Sequence, residues 1–130
     1  MKTRIGLVLV GLFLSLSVAC AQQEFSDLVD AFKKSDARLL EKKMDDQVDL
    51  ILLNHSVKSN RRKAVAMLDD FFAQNKVNDF EVIHEGKRRE SGFFIGKLST
   101  LQGAFRVNCF LKKIDEDYLI HQIRIEKTNE

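Results

Sequence analysis

The sequence predicts an α+β domain, helices first and an antiparallel sheet after them. Two observations carry that prediction. Apolar residues recur at helical spacing early in the chain, then at a spacing of two from residue 80 onward. The later segments are also joined by short connections at 87–90, 101–103 and 115–117, and short turns join antiparallel neighbours. With 130 residues, no proline and no low-complexity tract, nothing divides the chain into two domains.

Residues 1–21 stand apart from that domain. Lys2 and Arg4 make a basic start, residues 5–18 carry no charge, and Ala19, Cys20 and Ala21 follow. A charged start, an apolar middle and small residues at the end form a secretory signal. The apolar run is shorter than the ~20 residues that span a bilayer as a helix. Two processing routes stay open. Cleavage before Gln22 would discard Cys20. Alternatively Ser17, Val18, Ala19 and Cys20 act as a lipobox, and Cys20 becomes the lipidated first residue. The expected address is therefore exported, periplasmic or secreted, or lipid-anchored in the envelope, with membrane contact only through Cys20.

Loss of this segment changes the charge. The chain has 21 Lys and Arg against 19 Asp and Glu, and the segment holds two basic residues and no acid. Residues 22–130 are therefore neutral overall. The basic character of the whole chain gives no support for a nucleic-acid or anionic-membrane partner. Cys109 has no internal partner once Cys20 is removed or acylated, so the domain stands without a disulfide. Phenylalanine supplies the core instead.

The elements follow in order. Residues 24–34 place Phe25, Leu28, Val29 and Phe32 on one helical face. Asp36 caps a second short helix to about residue 44, with Leu39, Leu40 and Met44 inward. Residues 48–53 are apolar and β-prone. Asn60 caps a helix over 61–75, whose stripe is Ala64, Leu68, Phe71 and Phe72. Four strands then alternate over 80–86, 92–100, 104–113 and 118–127. The predicted order is α-α-β-α-β-β-β-β.

Alternation also assigns the faces. Phe105, Val107, Cys109 and Leu111 should lie against the helices, as should Leu119, His121, Ile123 and Ile125. The opposite face is mixed: Arg106, Asn108, Phe110 and Lys112, then Tyr118, Ile120, Gln122 and Arg124. A fully solvated face would carry fewer large apolar groups. A homodimer through this sheet face is one expectation, and ordinary exposed apolar surface is the other.

This order of elements resembles the cystatin-like fold of nuclear transport factor 2-like proteins. The chain more closely resembles an uncharacterised family of small exported Bacteroidota proteins. The strings that carry the likeness are Leu68-Asp69-Asp70-Phe71-Phe72-Ala73-Gln74-Asn75-Lys76-Val77, Phe80 with Ile83-His84-Glu85-Gly86, Gly103-Ala104-Phe105-Arg106-Val107, and Leu119 with Ile123-Arg124-Ile125-Glu126-Lys127. They are core and turn positions, so the resemblance implies the fold over 22–130 and leaves the activity open.

Candidate sites are sparse. His55, His84 and His121 have no metal-ligand spacing, so no metal or other cofactor is expected. His84 is in phase with Phe80 and Val82, which would place it in a pocket between helices and sheet. His84, His121 and Asp49 are the ligand-binding candidates. The fold resemblance also implies enzymes that move protons or dehydrate small substrates. Such sites need a buried base and an oxyanion donor. Asp49 and Tyr118 do not supply a convincing pair, so a catalyst is not expected. Arg61, Arg62 and Lys63 gather at a helix start and form a candidate anion site. Cys109, in an apolar row, reads as a small core residue.

The expected function is a non-catalytic binding or structural module of the envelope, holding a small hydrophobic ligand between helices and sheet. The alternatives are a small enzyme in that pocket or a partner-binding subunit of an envelope complex.

Overall fold

A computed structural model describes residues 25–128. The elements are α1 (Ser26–Lys33), α2 (Ala37–Lys42), β1 (Met44–Leu52), β2 (His55–Asn60), α3 (Arg61–Gln74), β3 (Val77–Lys87), β4 (Ser91–Thr100), β5 (Gly103–Ile114) and β6 (Asp117–Lys127). The predicted order holds, with one addition: β2, a short strand whose polar sequence HSVKSN has no apolar alternation to announce it. It exists because β1 offers it an antiparallel partner. The expected signal segment and both processing routes at Cys20 lie outside the described residues.

Capping sets the helix starts. The Asp36 side chain accepts a hydrogen bond from the Leu39 amide, and Asn60 Oδ1 accepts one from the Lys63 amide at 2.9 Å. The second helix ends at Lys42, so Met44 opens β1 rather than closing the helix, and it is still buried.

The six strands run in the order β2-β1-β6-β5-β4-β3. All pairs are antiparallel except β1 with β6. The helices cover one face. Phe32 sits at the centre of that layer, its ring centroid 5.1 Å from Phe80, 6.0 Å from Phe94 and 6.4 Å from Phe72. Phe71 extends the cluster to Phe105 at 5.2 Å. Gly96 makes room for it: a Cβ there would lie 2.3 Å from Phe80 Cζ. These rings occupy most of the space expected to form a pocket between helices and sheet, and a cleft of only about 130 Å³ remains at its edge, beside Phe25 and Tyr118.

Two bulges overturn parts of the expected sidedness. Phe110 pairs with Gln122 but Leu111 pairs with Ile120, so His121 is the extra residue of β6. Ahead of it the strand is flipped. Ile120 is fully buried on the helix side, Tyr118 packs on Phe25, and His121 is exposed. The expectation that Leu119 and His121 face the helices, and Tyr118 and Ile120 the other way, is therefore corrected. Ile123 and Ile125, beyond the bulge, are buried as expected. In β3, Val82 pairs with Gly96 and His84 with Ile95, which makes Ile83 the extra residue. His84 leaves the phase of Phe80 and is exposed.

Candidate functional site

The face of the sheet away from the helices carries rows of laterally paired residues. One row reads Glu81, Lys97, Arg106, Glu126. The next reads His84, Ile95, Asn108, Arg124, Ile51. The third reads Gly86, Phe93, Phe110, Gln122, Asp49. Phe93, Ile95, Phe110 and Ile51 are half-buried although none of the described helices lies over them. Neighbouring side chains cover them in part, and Gly86 matters here. A Cβ on Gly86 would meet Phe93 Cε1 at 2.5 Å, so the ring lies flat across that glycine.

At the hairpin end of this face lies an open cleft of about 480 Å³, lined by Phe93 and Phe110 together with Arg88, Ser91, His121 and Gln122 and by the neighbouring backbone of β3, β4 and β5. The bulge that turned His121 away from the helices delivers it here beside Gln122. The β3–β4 hairpin that carries Arg88 is held from three sides. The Arg88 amide donates to the Ser91 carbonyl at 2.7 Å, the Tyr118 hydroxyl donates to the Arg88 carbonyl at 2.7 Å, and the Lys113 amide donates to the Glu90 carbonyl at 2.8 Å. Lys87 Nζ sits 4.8 Å from the centre of the Tyr118 ring. Tyr118, the only tyrosine of the chain, is thus a structural strut with its ring on the helix side and its hydroxyl on the hairpin.

The three ligand-binding candidates all fall on this open face, and none lies between helices and sheet. Asp49 is half-buried and pairs laterally with Gln122, next to the cleft. His121 lines the cleft. His84 sits on β3, three strands from β6, a separation of roughly 14 Å at ordinary strand spacing. Two of the three are therefore brought together and the third is not. His55 opens β2 and is exposed.

The basic cluster has a different setting. Arg61 and Arg62 line an open cleft of about 550 Å³ with Lys42, but Glu41 and Asp46 line it too. Arg61 pairs with Asp46 at 3.3 Å, both side chains well exposed, and Asn60 already occupies the Lys63 amide. Lys63 does not line that cleft. Two carboxylates and a filled cap oppose an anion there.

Cys109 is fully buried, and burial pushes its thiol up, far above the range in which a thiolate forms. Among the described residues no three His, Cys, Asp or Glu side chains are grouped to hold a metal ion, and no helix is long and apolar enough to cross a membrane.

Pattern reasoning missed Phe93, Arg88 and Gln122 as one site. The alternation of β4 does set Phe93 and Ile95 opposite Phe94 and Leu98, so half of the aromatic floor was available. The convergence of Arg88 and His121 on it required the hairpin and the bulge.

This architecture, helices on one face of a six-stranded, mostly antiparallel sheet, is that of a cystatin-like α+β protein. Residues 25–126 match the family model described as a domain of unknown function, DUF4783, and the chain belongs to that family. It is similar to the crystal structure of a DUF4783 family protein from Bacteroides ovatus, with 48% identity and a TM-score of 0.80, covering 85% of this chain and 100% of that one. Two more distant structures share the fold. One is a domain of unknown function with a cystatin-like fold from Nostoc punctiforme, at 12% identity and TM-score 0.65, covering 81% of this chain and 73% of that one. The other is an NTF-2 like protein of unknown function from Silicibacter pomeroyi, at 12% identity and TM-score 0.61, covering 88% and 98%. No match is found among curated proteins.

Proposed function

We propose that this DUF4783 protein is an exported, non-catalytic binding module of the cell envelope that works through the open face of its sheet. One observation carries the reading: Phe93, Ile95 and Phe110 form an apolar patch on a face that none of the described helices covers, while the helix side is filled with packed rings. An apolar strip with polar groups at its margin is the surface a ligand or partner would cover. The basic start and uncharged run of residues 1–18 support export. The distance between His84 and the Asp49–His121 pair supports a role without catalysis, since an acid and a base must converge on one substrate.

Native mass spectrometry of the protein taken from its host's envelope tests this reading. The expected spectrum shows a chain that begins at Gln22 or at acylated Cys20 and retains a small molecule, a second copy or another protein. The double variant Phe93→Ser, Phe110→Ser is expected to lose that partner. An unprocessed chain would refute export. A bare monomer, unchanged by the double variant, would refute the open face as the working surface.

A further inference from the structure

We propose that the cleft at the hairpin end of the open face binds a small amphipathic carboxylate, an aromatic or acyl acid whose apolar body lies on Phe93 and Phe110 and whose carboxylate meets Arg88. This rests on the open face being the working surface, and adds the class of ligand and the residue that selects it.

The floor comes first. Phe93 and Phe110 are directly paired across β4 and β5 and both line the cleft, so each offers it apolar surface. Gly86, which has no Cβ, lets the Phe93 ring extend over β3. A flat or extended apolar group gains most from such a floor. The cleft, at about 480 Å³, falls within the usual size of small-ligand sites, roughly 300–1,000 Å³.

The rim sets the charge. The polar side chains that line the cleft are Arg88, Ser91, His121 and Gln122, and among the described residues none of the lining side chains is Asp or Glu. Each of the four can donate a hydrogen bond, and the guanidinium donates through a rigid fork that matches a carboxylate. The acids nearest by register or sequence are Asp49, beyond Gln122, Glu85, beside Gly86, and Glu90 in the turn, and none of the three lines the cleft. Lys112 stands in the next row, between Ser91 and Leu119, and adds positive charge at that end. A neutral ligand would leave Arg88 without a counter-charge, whereas a carboxylate supplies one.

The geometry is held before any ligand arrives. The Tyr118 hydroxyl and the Lys113 amide, each bonded to a hairpin carbonyl, fix the segment that carries Arg88, which reduces the ordering cost of binding.

The test is a calorimetric titration of the protein isolated from its host's envelope with 2-naphthoate and with 2-naphthamide, its uncharged counterpart. The expected result is one site that binds the carboxylate about tenfold more tightly than the amide, a preference that shrinks as salt is raised. Arg88→Gln should remove the preference. Arg88→Lys should keep part of it, and Phe93→Ala should weaken both probes. Arg88 meets the hairpin through its backbone, so the two Arg88 variants should melt with the parent protein. Equal binding of the two probes, with both lost in Phe93→Ala, would overturn the carboxylate assignment and leave the open face as a binding surface. Failure of both probes to bind would overturn the ligand class. Only a bare, unchanged monomer in the envelope spectrum would remove the wider reading with it.

Discussion

The two faces of this sheet are made by the same strands, with residues of alternating destination, yet they use phenylalanine in opposite ways. On the helix side, Phe32, Phe80 and Phe94 interlock at centroid distances of 5.1 to 6.2 Å and leave a filled interior. On the open side, Phe93 and Phe110 are half-covered and line a cleft. The difference is one of neighbours. A ring met by rings from helices above it becomes core. A ring met only by its lateral neighbours and a glycine becomes surface that something else can cover. Apolar content alone does not distinguish a core face from a binding face; what distinguishes them is whether the chain itself supplies the second layer.

Deleting the central ring should separate the faces most sharply. Phe32→Ala is expected to cost about 3–5 kcal/mol, because it leaves a cavity among three other rings. Phe93→Ala should cost less than about 1.5 kcal/mol, since part of that ring is already in water. Urea unfolding of the two variants compares them directly, and equal losses would break the distinction between the faces.

Gly96→Ala comes next. Its new methyl would fall 2.3 Å from Phe80 Cζ and 2.9 Å from the Glu81 carbonyl oxygen, so backbone as well as ring must move. A loss of about 1–3 kcal/mol is expected in the same assay. The pH dependence of the helix side follows from Cys109. Burial holds the folded thiol neutral, while in the unfolded chain it ionises above its ordinary value of 9.0. The unfolded state therefore loses a proton that the folded state keeps, and stability falls as pH rises. The expected slope from this group is about 1.4 kcal/mol per pH unit above pH 9. Unfolding curves from pH 8 to 10.5 should show that extra slope in the parent and lack it in Cys109→Ala.

The smallest effect concerns the strut that joins the two faces. Tyr118→Phe keeps the ring on Phe25 and removes the bond to the Arg88 carbonyl. A loss of about 1 kcal/mol is expected. It should be concentrated in the 88–91 turn, read as faster amide exchange there than in β5.

What the sequence determined by itself was local. Asp36 and Asn60 announce their helices because a cap bonds within one turn of its own residue. Phe105, Val107, Cys109 and Leu111 announce a buried strand face because alternation is a property of one strand. The family resemblance rested on such positions, and the fold followed from them. The tertiary structure decided everything that depends on a partner strand. A polar segment became β2 because β1 lay beside it, and β1 met β6 in parallel. His84 and His121 ended on the open face because register shifts at Ile83 and at His121 itself reversed the alternation on which their placement relied. A bulge is a mismatch in residue count between two paired strands, so a single strand's own pattern contains no trace of it. Through those two bulges and one pinned hairpin, the candidate site moved from the helix side of the sheet to its open face.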